Sequence, residues 1–192
     1  MVNITDPNQV LLTGENSFIR LAAGEGGSPT TRASHWRVLL SPGGAGHALF
    51  LKSDVTGDRV RLYSDNIALA RFLQEEIESL LFPEFADPAL PVTEADFFKS
   101  GDAMTFWNET VESEEDQVSL TWYDFLEPFI LNAPPGTAGR PLGVYSCFVP
   151  ARRAQLTLNG DPARGRPLAE KRGHWDSSTA CLAWSETWVR PR

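Results

Sequence analysis

Two carboxylates stand out by the company they keep. Glu186 lies between Trp184 and Trp188 in Leu182-Ala183-Trp184-Ser185-Glu186-Thr187-Trp188. Side chains alternate across a strand, so if this segment is extended all three point to one face, with Leu182 and Arg190 in the same row. A carboxyl walled by indoles loses its hydration, its pKa rises, and it becomes a general acid or base poised near neutral pH. The plainer reading is a solvated face on which Glu186 pairs with Arg190 or with an arginine of a neighbouring strand. Glu109 has similar surroundings. Val111 and Val118 bracket the charged stretch Glu112-Ser113-Glu114-Glu115-Asp116-Gln117, an exposed turn. Pairing Val111 with Val118 sets Glu109 opposite Leu120, Trp107 opposite Trp122 and Thr105 opposite Asp124. One face of this hairpin is then apolar except for Glu109 and Asp124. The other carries Met104, Phe106, Tyr123 and Phe125.

Of the three histidines, His35, His47 and His174, the last is the best suited to acid–base work. It sits in Arg172-Gly173-His174-Trp175-Asp176, on a loop, where a plain surface role competes. No two histidines have metal-ligand spacing and neither cysteine lies near one, so no metal site is expected. There is no Gly-x-Ser-x-Gly elbow and no dinucleotide fingerprint after a strand. The candidate chemistry is therefore independent of a cofactor: a hydration, elimination or isomerisation, as in a lyase or isomerase, carried by Glu186, Glu109 and His174. Six tryptophans are many for 192 residues. Trp107, Trp122, Trp184 and Trp188, with Tyr123 and Arg190, form the candidate walls of a cavity for a small apolar or aromatic molecule. The alternative is a non-catalytic module whose aromatic sheet face pairs with a second copy of the chain, a homodimer.

These residues need a scaffold. With 42% hydrophobic and 22% charged residues, the chain reads as one globular domain over 1–192. The net charge of −8 argues against nucleic acid as a partner. That charge is uneven: Phe82 to Glu127 is strongly acidic, whereas Arg140 to Arg192 is mostly basic. The basic cluster of Arg152, Arg153, Arg164, Arg166, Lys171 and Arg172 reads as a solvated face, as a site for an anionic ligand, or as the partner of the acidic segment. No apolar run approaches the length of a membrane helix. Met1 to Val10 lacks a basic region followed by an apolar one, which points away from a secretory leader. Cys147 and Cys181 are expected to be free thiols in the cytoplasm.

The positioning elements are mostly strands. Val10–Thr13, Phe18–Ala22, His35–Leu40, His47–Lys52 and Arg59–Tyr63 are followed by Ala103–Val111, Gln117–Phe125, Val144–Val149, Ala154–Leu158 and Thr179–Val189, all rich in β-branched and aromatic residues. Ser41-Pro42-Gly43-Gly44-Ala45-Gly46 reads as a hairpin connection. One segment has helical spacing: from Asp65 to Phe82, Leu69, Phe72, Leu73, Ile77, Leu80 and Leu81 share a face, with Arg71, Gln74, Glu75 and Glu78 on the other. Ser64 or Asp65 is the expected cap and Pro83 the stop. Together these predict a mainly β (α+β) fold, an antiparallel barrel or strongly curved sheet with one long helix packed on it. In general shape this resembles the calycins, the lipocalin-like barrels. The Gly-x-Trp that opens the first lipocalin strand is absent, Ser34-His35-Trp36 being the nearest sequence, so the resemblance concerns fold and implies no activity.

Overall fold

Alternating burial along the extended segments accounts for most of the molecule: 57% of the described residues are strand, and a helix of 15 residues is laid against them. The computed structural model describes residues 9–191, so most of the Met1 to Val10 stretch considered for a leader lies outside the described residues. A meander of β1 (Val10–Ala22), β2 (Pro29–Leu40), β3 (Gly46–Ser53) and β4 (Val60–Ser64) leads into the helix α1, residues 67–81. Then come β5 (Val92–Glu94), β6 (Asp96–Gly101), β7 (Phe106–Glu112), β8 (Gln117–Phe125) and β9 (Phe129–Ala133). The long β10 (Gly143–Leu158), the short β11 (Asp161–Pro162), the hairpin β12 (Ala169–Arg172) with β13 (Trp175–Ser178), and β14 (Ala180–Val189) complete the order.

The strands lie side by side as β5-β4-β3-β2-β1-β14-β10-β8-β7-β6, with β9 and β11 added along β10. The two ends of this order are consecutive in the chain. Ala95 joins β5 to β6, and its amide donates to the carbonyl of Ser64 at 3.2 Å. The sheet thus curls almost into a closed barrel. Its interior is filled by side chains such as Ile19, Leu49, Leu51, Leu120, Trp122, Leu156 and Leu182. Side chains of this kind fill the interior of a small barrel. The outer surface of β2, β3 and β4 presents Trp36, Val38, Phe50 and Leu62, which α1 covers with Leu69, Leu73 and Ile77.

The helix is capped just beyond both expected caps, Ser64 and Asp65. Asn66 is the N-cap, its Oδ1 accepting from the amides of Ala68 and Leu69. Ser64 and Asp65 are used elsewhere: the Ser64 hydroxyl donates to the carbonyl of His47, and Asp65 accepts from the His47 amide. Phe82 is extended and Pro83 follows it, which ends the helix as predicted. The Gly-rich segment is the β2–β3 connection. A Cβ on Gly43 would lie 2.9 Å from both the Ala68 carbonyl oxygen and the Leu69 Cα, so the loop touches helix backbone directly. Gly43→Val should therefore lower stability by about 1–3 kcal/mol, the usual range for overpacking. A thermal melt unchanged by this substitution would show that the contact is not needed.

Several boundaries differ from the sequence pattern. Val10–Thr13 and Phe18–Ala22 are one strand, as are Val144–Val149 and Ala154–Leu158. The Ala103–Val111 strand starts at Phe106, because the Asp102 carboxylate binds the amides of Met104 and Thr105 and holds a turn there. The β7–β8 register is the predicted one, Val111↔Val118, Glu109↔Leu120 and Trp107↔Trp122. Thr105 falls outside it. Asp124, at φ +59°, is turned out to solvent, where Arg152 meets it at 3.2 Å. Cys147 and Cys181 are free, the second fully buried. Among the described residues no helix is long and apolar enough to cross a membrane.

Candidate functional site

The geometry of the site depends on one residue of β14. Ser185 has φ +52°, and the pairing with β10 slips by one between Tyr145↔Thr187 and Cys147↔Trp184. One extra residue reverses the facing of everything beyond it, because side chains alternate with period two. Trp184 consequently packs inside the barrel, edge-on to Trp107 at 5.5 Å. Trp188 joins the outer layer under α1. This corrects the expectation that Glu186 lies between two indoles. It has one, Trp188, whose Nε1 donates to Glu186 Oε1 at 2.6 Å.

Glu186 lines a cavity of about 160 Å3 on the outer face of the sheet, between the end of α1, β1 and β10. Phe18, Phe148, Leu131 and Trp188 form apolar walls, and Asn16, Arg20, Arg140 and Arg172 supply polar ones. The carboxyl is only 3% exposed. Burial pushes its pKa up to about 8, against the opposing pull of hydrogen bonds from Trp188 and Ser146. Glu186 is thus a carboxylic acid at neutral pH, the state required of a proton donor.

A second buried carboxyl, Glu78, raises it further by proximity. In α1 the backbone widens to a π turn over Gln74–Glu78, and the added residue rotates Glu78 from the expected polar face to full burial. Glu78 Oε1 accepts from the Ser34 hydroxyl and from Trp36 Nε1, the latter at 2.6 Å, while Asn16 Nδ2 donates to Ser34 Oγ at 2.9 Å. Glu78 Oε2 is buried without a hydrogen-bond partner. Burial pushes this carboxyl up to about 7. The rings of Trp36 and Trp188 stand 6.4 Å apart, so the two Glu–Trp pairs are neighbours across the sheet.

Glu109 occupies different ground, inside the barrel. Trp107 Nε1 donates to its Oε1 at 2.7 Å, and burial pushes its pKa up to about 7. His35 Nε2 lies 3.9 Å from Oε2, too far for a hydrogen bond, and is buried without any partner. Burial, aided by the nearby His47, pushes His35 down to about 3. A neutral imidazole therefore faces Glu109, and the contact is not an ion pair at neutral pH. Phe97 stacks on His47 at 5.1 Å and touches His35 at 5.7 Å.

The remaining candidates are dispersed. Trp122 is fully buried in the barrel core, its Nε1 donating to the Phe18 carbonyl at 3.0 Å. Tyr123 faces outward beneath the Arg153 guanidinium, 4.9 Å away. His174 is exposed at the β12–β13 turn beside Trp175, and Arg190 is exposed just past β14. Of the tryptophans, Trp188 alone lines the Glu186 cavity, and Trp107, Trp122 and Trp184 pack in the barrel interior. The sequence reading missed Glu78, His35, Arg20 and Arg140, and of the arginines around the cavity it named only Arg172, within the basic cluster. A π turn and a serine bulge have no residue signature, whereas Ser34-His35-Trp36 in an apolar strand was a visible cue. Among the described residues no three of His, Cys, Asp and Glu cluster closely enough to hold a metal ion. Comparison with known protein families, characterised proteins and solved structures finds no significant match to this chain.

Proposed function

We propose that this protein binds a small apolar or aromatic molecule in the cavity above Glu186, whose carboxylic acid meets the ligand's polar group. The observation that supports this most is a carboxyl buried at the wall of a pocket that sets Phe18, Phe148 and Trp188 beside polar groups. Burying such a group costs stability, and stability alone gives no reason to keep it there. In the enzymatic form of the reading Glu186 passes its proton to the bound molecule, or takes one from it, without a cofactor, as in a lyase, hydratase or isomerase. The free cysteines fit a reducing compartment, the cytoplasm.

Trp188 supplies the test, since it lines the cavity and touches Glu186. Titration with a panel of aromatic and terpenoid compounds should quench fluorescence saturably for at least one of them, and Trp188→Phe should remove most of that signal. The competing reading is a homodimer through the aromatic sheet face. It draws on Phe98, Met104 and Phe106, all largely exposed on β6, β7 and the turn between them. Absence of quenching by every compound, together with a concentration-dependent dimer in sedimentation, would favour the dimer.

A further inference from the structure

We infer that the ligand is a single-ring aromatic carboxylate, with its ring inside the cavity and its carboxylate held at the mouth by Arg172 and Arg140. This rests on the binding reading above and names the class of molecule. Size is the first argument. The cavity holds about 160 Å3, and an apolar cavity of about 150 Å3 accommodates benzene. Phe18, Phe148 and Trp188 give that ring aromatic neighbours.

Charge is the second. Arg20, Arg140 and Arg172 line the cavity, and the carboxylate that pairs with them is Glu170, 2.8 Å from Arg20 and 3.5 Å from Arg172. Arg140 forms no ion pair among the described residues. Arg172 lies over the Phe148 ring at 5.0 Å, and its Nε is buried with no hydrogen-bond partner. A guanidinium binds a carboxylate through two parallel N–H donors, and Nε with one Nη makes such a fork. The positive charge at the mouth is thus in excess, and the unused donor is the one a ligand carboxylate would complete. Arg140 and Arg172 also line the adjoining groove of about 400 Å3, which gives the charged end of the ligand its route to solvent. Glu186, being uncharged at neutral pH, does not repel an anion in the same cavity.

Calorimetric titration of the folded chain at neutral pH with benzoate, 4-hydroxybenzoate and the neutral benzyl alcohol separates the possibilities. Either acid should bind at least about tenfold more tightly than the alcohol, as a charge-assisted pair requires. Arg172→Gln should remove that preference, weakening the acids at least about tenfold more than it weakens benzyl alcohol. Arg140→Gln changes an exposed residue and should also weaken the acids selectively. Equal affinity of acids and alcohol in the unaltered protein, or parallel losses in the variants, overturns the carboxylate assignment and leaves the cavity reading standing. Failure of all three compounds to bind overturns the carboxylate assignment and the single-ring size argument together, while binding of a larger compound in the fluorescence panel would preserve the cavity reading.

Discussion

Unfolding free energy should fall as the pH is raised from about 5 to about 8. Glu78 and Glu109 are pushed up to about 7 and Glu186 to about 8, from an ordinary value of 4.5. Once unfolded, these carboxyls release their protons near 4.5; folded, they hold them until about 7 for Glu78 and Glu109 and about 8 for Glu186. In that window the folded chain carries more protons than the unfolded chain, so stability declines with rising pH. The contribution is fully present below the unfolded value and is lost as pH climbs through the folded ones. Each group can contribute a slope of up to about 1.4 kcal/mol per pH unit. His35 opposes them: lowered from 6.5 to about 3, it favours the folded state increasingly as pH rises across that interval. The decline should therefore be steepest between about 6 and 6.5, where the unfolded His35 is losing its charge and Glu78 and Glu109 still hold most of their protons. Urea denaturation at pH 5, 6.5 and 8 should show a total loss of at least about 2 kcal/mol. A flat or rising profile would mean that the three carboxyls are ionised in the folded protein. Glu186→Gln replaces the acid with a neutral amide of the same shape. It should flatten the alkaline part of the profile, hold or raise the melting temperature at pH 8, and weaken ligand binding at least about tenfold.

Trp122→Ala should cost about 3–5 kcal/mol, the range for deleting a buried aromatic side chain. The ring is completely buried among Ile19, Leu120 and Leu182, and its Nε1 hydrogen bond to the Phe18 carbonyl ties β8 to the far wall of the barrel. Deleting it leaves both a void and an unpaired carbonyl. Trp122→Phe keeps most of the volume and loses the hydrogen bond, so it should be milder and still fold. That variant separates a packing role from a ligand wall. Saturable quenching through Trp188 should survive in it with unchanged midpoint. Loss of binding in a fully folded Trp122→Phe would return this residue to the ligand site.

The elements that were legible in the sequence are those whose burial is regular over many residues. The β7–β8 hairpin could be registered residue by residue because Val111 and Val118 bracket an unmistakable charged turn. The helix was visible because Leu69, Leu73 and Ile77 repeat at one spacing, and Pro83 marks its end. The site was less legible, for a physical reason. Both carboxyls of the outer face reach their positions through a local break in periodicity: the Ser185 bulge on β14 for Glu186, the π turn of α1 for Glu78. Pattern reasoning assumes unbroken periods, so it paired Glu186 with Trp184 and assigned Glu78 to the solvent side. The acidic stretch after the helix hid β5 and β6, because few of their side chains are buried and alternation leaves little trace there; β9 lies beyond that stretch, and Phe129 is its one fully buried residue.

β14 lies between β1 and β10, pairing with Thr13 and Phe18 on one side and with Tyr145 and Phe148 on the other. Of the strands of this sheet, the one made last is therefore the one that bridges the two earlier walls. Until Ala180–Val189 is made, β1 presents an unpaired edge and the barrel stays open beside it. The nascent chain has to hold an adhesive strand exposed while the rest of the sheet is made, the situation in which wrong pairing between neighbouring chains competes with folding. The antiparallel contact of Val10 with Val189 also brings the start of β1 beside the end of β14. A short linker joining those ends, with a new opening cut at the exposed turn between β7 and β8, would give a permuted chain in which β14 and β1 form a local hairpin instead of a pairing between distant segments.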